Sequence, residues 1–164
     1  LEVARPTHVW LTWCDQVAVS ASTVTALGEH ADEPGVEVVV PTAYSQNPYT
    51  LIARNEDGRL VAILHRREGD DMPEWGESEM GLFSLSAHAY FDLLPEFSNG
   101  VLPGAATRER NFLPFLPWAA SRVGLATFRC HDAREALGVN TAADCHRVEA
   151  FLAERLAAER RDFT

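Results

Sequence analysis

The stretch Tyr49-Thr50-Leu51-Ile52-Ala53, the turn Asn55-Glu56-Asp57-Gly58 and the return Leu60-Val61-Ala62-Ile63-Leu64 read as a β-hairpin. Asp57-Gly58 supplies the positive-φ position that such a turn needs. Both arms are apolar at successive positions, so a central place in a sheet is expected for them. Upstream, the short β-branched and aromatic run His8-Val9-Trp10-Leu11-Thr12-Trp13 reads as another strand, and Val36 to Val40 as a compact one closed by Pro41. Between these, Val17 and Val19 permit a further strand, after which Ala21, Val24 and Leu27 recur at helical spacing as far as Gly28.

The C-terminal half reads as helical. Leu85, Ala89, Leu93 and Leu94 fall on one face of a helix over 84–97, with Pro95 disturbing its end. Pro114 and Pro117 delay the next helix to about 117–123, where Pro117 suits a first turn. Asp132 caps a short helix over 132–137 that stops at Gly138. Thr141 and Asp144 resemble a capping box, and Cys145, Val148, Leu152 and Leu156 form one stripe of a closing helix over 141–161. The expectation is an α+β fold: an antiparallel-rich sheet from strands near 8–13, 36–40, 49–54 and 59–65, packed against those four helices. A chain of 164 residues matches the size of one domain, and its start without methionine suggests excision from a longer protein.

Composition narrows function by exclusion. The sequence contains no lysine, so all 14 formal positive charges are arginine. A phosphate-loop lysine and a Schiff-base lysine are therefore excluded. The arginines stand against 24 acidic residues, a formal net charge of −10. That charge repels nucleic-acid phosphates and anionic membranes at long range, so neither is expected as a partner. No apolar run approaches the length of a membrane span, and no basic segment followed by an apolar one opens the chain. Cys14, Cys130 and Cys145 are odd in number and irregularly spaced, which fits reduced thiols and a bacterial cytoplasm. The neighbours Cys145 and His146 diverge around a helix, so no zinc site is assigned; without a dinucleotide glycine motif, a His-Glu-x-x-His or a calcium loop, no cofactor is expected either.

Two sets of residues carry candidate chemistry. Ser84, His88 and Asp92 would stack along one side of a helix, with His88 as a base oriented by Asp92. Glu77 and Glu79 stand in an acidic stretch from Glu68 to Glu79 that reads as a loop, broken by Gly69, Pro73 and Gly76. Together with Arg5 and the run Ser20-Ala21-Ser22-Thr23, the Glu77-Ser78-Glu79 order resembles the arginine, serine and paired-glutamate motifs of ADP-ribosyltransferases. The resemblance stops there, because a long stretch follows the glutamates where that family's chains near their end.

Trp75, Trp118, Arg108 and Arg110 are candidate binding residues, as aromatic anchors and as cations that grip planar anions. With no assembled catalytic set, the expected function is a non-catalytic binding domain with a protein partner. The alternative is a small hydrolase or transferase acting on a nucleotide-like or cationic substrate through His88 and Asp92, or through Glu77 and Glu79.

Overall fold

The computed structural model describes residues 6–162 and is of α+β type. Its elements are β1 (His8–Thr12), α1 (Ala21–Ala31), β2 (Val36–Gln46), β3 (Thr50–Arg54), β4 (Leu60–His65), β5 (Trp75–Glu79), β6 (Leu82–Ser86), α2 (Leu94–Gly100), α3 (Phe115–Ala120), β7 (Gly124–Arg129) and α4 (Ala142–Asp162). A π-helical turn over Ala89–Leu93 leads into α2, and a 3₁₀ turn over Ala133–Ala136 precedes α4.

β2 is the spine of a five-stranded sheet. On one side it pairs antiparallel with β6 at Val38 and Val39 and with β5 from Thr42 to Gln46. β5 and β6 are thus one antiparallel partner of β2, interrupted at Met80-Gly81, where Gly81 takes a φ of 70°. A bulge of this kind bends the strand and re-aims the side chains beside it. β1 adds antiparallel to β6, and β7 adds parallel to the other side of β2. Pro41, which has no N–H to donate, sits where β2 passes from β6 to β5, so it interrupts no ladder and the strand runs on to Gln46.

The two faces of β2 follow its period of two. Val38 and Val40 join Phe83, Leu85, Phe115 and Leu116 in the main core, beneath α2 and α3. Val39 instead meets Leu27 and Ala31 of α1 together with Leu82. α1 starts at Ser20, whose hydroxyl caps Thr23 N–H, and continues through Gly28 to Ala31. A buried carboxylate reinforces this start from a distance: Glu135 accepts from Ser20 N–H at 2.8 Å and Thr23 Oγ1 at 2.7 Å.

The hairpin forms as expected but lies outside the main sheet, as a two-stranded sheet of its own. Its apolar residues are covered by other means. Ile52 and Leu60 enter the main core with α3's Phe115 and Leu116, while Leu51 abuts Gly76 so closely that a Cβ there would stand 2.2 Å from Leu51 Cδ1. The acidic stretch is likewise no simple loop, since it contains β5. Its most buried positions are small, Gly76 and Ser78, and its acids are met by partners from other elements, so no hydrophobic alternation marks it.

The expected helix over 84–97 is corrected too. Residues 82–86 instead form a strand that pairs with β1 and β2, and helical structure begins only at Ala87, where Ser86 Oγ accepts the Ala89 N–H at 3.0 Å. α3 starts at Phe115, earlier than expected. Pro117 still falls in its first turn, where the N–H groups have no intrahelical acceptor to lose. No strand forms at Val17 and Val19, and no described helix is long and apolar enough to cross a membrane.

Candidate functional site

A cleft of about 870 Å³ opens between the turn after β1, the β2–β3 connection, the ends of β4 and β5, the loop over 109–113 and the segment from Ala133 to Asn140. Such a volume is within the range of small-molecule sites. Its walls are strand ends and turns, where side chains are held by backbone that the sheet has already fixed.

Asp15 stands at one side, in a tight turn in which Gln16 N–H reaches Trp13 C=O at 3.1 Å. Trp13 ties this turn to the core. Its N–H donates to Gly81 C=O at 2.9 Å, and its ring packs edge-on against Phe83 and Phe112. Across from it, Val139 N–H donates to Asp15 C=O at 3.1 Å, and Asn140 Nδ2 donates to Asp15 Oδ2 at 3.2 Å. This meeting depends on Gly138, where a Cβ would lie 2.7 Å from Asp15 Oδ2.

Asn140 is held by the capping box expected from the sequence. Asp144 Oδ2 accepts from Asn140 N–H at 3.2 Å and Thr141 N–H at 2.8 Å, while Thr141 Oγ1 accepts Asp144 N–H at 3.2 Å. The Arg147 guanidinium, and then the Thr141 hydroxyl, hold the Asp144 carboxyl down at about 2, so it stays a charged acceptor across the physiological range. Asp15 and Asn140 are thereby presented together, and both carry oxygen donors of the kind a hard divalent cation takes.

Glu79 forms the deeper wall. Its Oε2 accepts Gly81 N–H at 2.6 Å and its Oε1 accepts from Thr50 Oγ1 at 3.2 Å. Burial pushes its carboxyl above the ordinary range, the two hydrogen bonds oppose this, and the charge of Asp15 adds to the rise. The folded chain therefore holds the Glu79 proton more tightly than the unfolded chain does. The stability this gives is complete below the unfolded value near 4.5 and is lost as pH rises through the higher folded value. Glu79→Gln, neutral throughout, is expected to remove that slope: its stability relative to the native chain should grow as pH rises above the unfolded value near 4.5 in denaturant titrations. Parallel pH profiles for the two proteins would refute the assignment.

Two more polar atoms line the cleft, and neither finds a hydrogen-bond partner among the described residues: Gln16 Oε1 and His65 Nδ1. His65 is 9% exposed, with its ring edge-on to Tyr49 at 4.9 Å. Arg67 and Arg110 contribute guanidinium groups to the lining, Arg67 being paired with Glu109 at 3.4 Å.

The residues singled out from sequence are scattered by comparison. Glu79 and Arg110 line the cleft. Glu77, two residues from Glu79 along the strand, is held by a two-pronged ion pair, with Arg54 Nε and Nη2 at 2.8 and 2.7 Å, which lowers its carboxyl. His88 is outside the cleft and exposed. Its Nδ1 meets Glu37 Oε2 at 2.7 Å, which raises its imidazole; Asp92 adds a weaker attraction through its charge. Ser84 is on β6, fully buried and without a partner among the described residues, so the Ser84, His88 and Asp92 stack does not form.

Trp75 stacks on Tyr44, with ring centroids 6.3 Å apart, and Trp118 packs with Phe97 and Phe115 under Arg122. Arg108 takes a φ of 60° on the loop before the cleft wall. Arg5 lies outside the described residues. Asp15, Gln16, His65 and Asn140 were not among the candidates; the only sequence signal for Asp15 and Asn140 is a polar residue in a turn beside a strand or helix end.

No protein-family model matches the chain. Its sequence is similar to the bifunctional protein GlmU of Heliobacterium modesticaldum, with 27% identity over 160 residues, covering 94% of this chain and 34% of that protein. GlmU of Bacillus cytotoxicus and of Staphylococcus carnosus each match at 26% over 147 residues, covering 87% of this chain and 31% of theirs. The chain thus spans about a third of the length of the curated relatives it matches. The matches run through most of the chain and the relatives are enzymes, which overturns the expectation of a non-catalytic interaction domain.

Proposed function

We propose that this chain belongs to a transferase acting on a nucleotide-like substrate, with the cleft beside Asp15 and Asn140 as its active site. GlmU combines acetyltransferase and uridyltransferase activities, and the cleft's chemistry supports the second kind. The observation that carries the reading is the Asp15–Asn140 pair, fixed by a tight turn on one side and a capping box on the other. Transfer of a nucleotidyl group is mostly a matter of positioning and of neutralising phosphate charge. A divalent cation would be held by Asp15 and Asn140, and its chemistry is to offset charge on the transferring phosphate. In a chain without lysine, other phosphate contacts within it fall to backbone N–H groups and arginine, and Arg110 is present in the lining.

The test is calorimetric titration of the chain with UTP in magnesium, beside ATP, CTP and GTP. Binding on the order of 10 to 100 µM for at least one of them is expected, in the range common for enzyme substrates. Flat titrations with all four, in a folded sample, overturn the proposal.

A further inference from the structure

We infer that the deeper end of the cleft, along Gln16, Glu79 and His65, receives a protonated amine of the acceptor substrate. This rests on the transferase reading and adds what that reading leaves open, the chemistry of the second substrate.

The three side chains form one continuous wall. Gln16 packs directly on Gly81, where a Cβ would stand 2.6 Å from Gln16 Cγ. Gly81 N–H donates to Glu79, and Thr50 Oγ1 donates to the other oxygen of the same carboxylate. Thr50 is the direct cross-strand neighbour of His65 in the hairpin, so their side chains share a face.

A count of hydrogen-bonding capacity along this wall gives one sign. Each carboxylate oxygen of Glu79 has one donor where it can accept two. Gln16 Oε1 is an acceptor with no donor among the described residues. His65 Nδ1 is buried and equally unmatched, and with the ring proton on Nε2 it too is an acceptor. Buried polar atoms in a folded protein are normally satisfied, so a run of unmatched acceptors lining one cleft points to a ligand that brings donors.

Charge narrows that ligand further. The charged group that acts on Glu79 is Asp15, a second anion, and Arg67 along the same wall is engaged by Glu109. A desolvated carboxylate facing another carboxylate is short of a cation, and an ammonium group supplies both the charge and three N–H donors. A hydroxyl group would supply the donor without the charge.

The test uses two probes of the same shape. Tris carries three hydroxymethyl arms and an ammonium on one carbon, and pentaerythritol has a fourth hydroxymethyl arm in place of the ammonium. Each is titrated into the ¹⁵N-labelled chain in phosphate buffer, following the amide signals of Gly81, Thr50 and His65. Tris is expected to shift these signals with at least about tenfold higher affinity than pentaerythritol, as a charge-assisted bond to a desolvated carboxylate requires.

Glu79→Gln, which keeps the acceptor for Gly81, should abolish the preference. His65→Phe, which keeps the ring, should weaken it, and Glu56→Gln on the exposed hairpin turn should leave it intact. Equal affinities, no shift with Tris, or a preference that survives Glu79→Gln overturns the inference. A magnesium–UTP titration on the same samples, read at Gly138 and Asn140, separates the two failures: nucleotide binding without amine preference sinks this inference alone, and no nucleotide binding sinks the transferase reading.

Discussion

Asp15→Ala is expected to lower nucleotidyl transfer by on the order of 10²- to 10³-fold, and to weaken magnesium–UTP binding, while stability changes by no more than about 1 kcal/mol. The reason for the small stability effect is local. Among the described residues the Asp15 side chain is bonded by the amide of an exposed Asn140, which water can replace; the backbone carbonyl that holds Val139 N–H is untouched by the substitution. The loss of activity has no such substitute, because the carboxylate is the one full charge in the pair.

Gly138→Val tests the same site without removing any functional group. Its added atoms would occupy the space 2.7 Å from Asp15 Oδ2, so the pair must separate, and a comparable loss of turnover is expected. Steady-state kinetics beside urea denaturation decide the matter. If Asp15→Ala keeps more than about a tenth of native turnover, Asp15 is not part of the active site.

Phe115→Ala is expected to cost about 3 to 5 kcal/mol of folding stability. Phe115 is fully buried and lies at the centre of an aromatic cluster, with Phe97, Phe112 and Trp118 rings at 5.7, 5.6 and 5.9 Å. It packs where α2, α3, the hairpin and the main sheet converge, so the cavity is walled by four elements and cannot close by moving one of them. For a domain whose total stability is on the order of 5 to 15 kcal/mol, such a loss leaves little margin. Denaturant midpoints measure it, and a shift equivalent to less than about 1 kcal/mol would mean that this cluster is not the keystone of the core.

The same cluster reaches the cleft. Phe112 touches Phe115 on one side and, through the edges of Phe83 and Trp13, the turn that carries Asp15 on the other. A softened core should therefore also reduce turnover at temperatures where the variant remains folded.

Legibility in the sequence divided along a physical line. Several roles set by neighbours along the chain were read correctly. The hairpin over 49–64 was marked by Asp57-Gly58, the closing helix by Thr141 and Asp144, and the α+β class by the change from strand-like to helix-like patterns. Where the role is set by an element distant in sequence, the reading failed. β5 carries acids where a strand normally shows apolar alternation; it is a strand because β2 pairs with it from Thr42 to Gln46, and Arg54 and Thr50 from β3 meet its Glu77 and Glu79. Residues 84–86 were read as the start of a helix, although β2 and β1 claim both edges of the strand they end.

The candidate site shows the same division more sharply. Glu79 was visible as an acid, but its meaning comes from burial at the Met80-Gly81 bulge and from the presence of Asp15. Asp15 and Asn140 are 125 positions apart, and each alone is an ordinary turn residue. The sequence by itself determined the hairpin, the α+β class, the absence of lysine-dependent chemistry within this chain and the capping box that holds Asn140, because propensity, composition and capping act over a few residues. Only the tertiary structure decided that the hairpin leaves the sheet, that Glu77 is neutralised while Glu79 is desolvated, and that Asp15 meets Asn140, because those depend on long-range packing that no local pattern encodes.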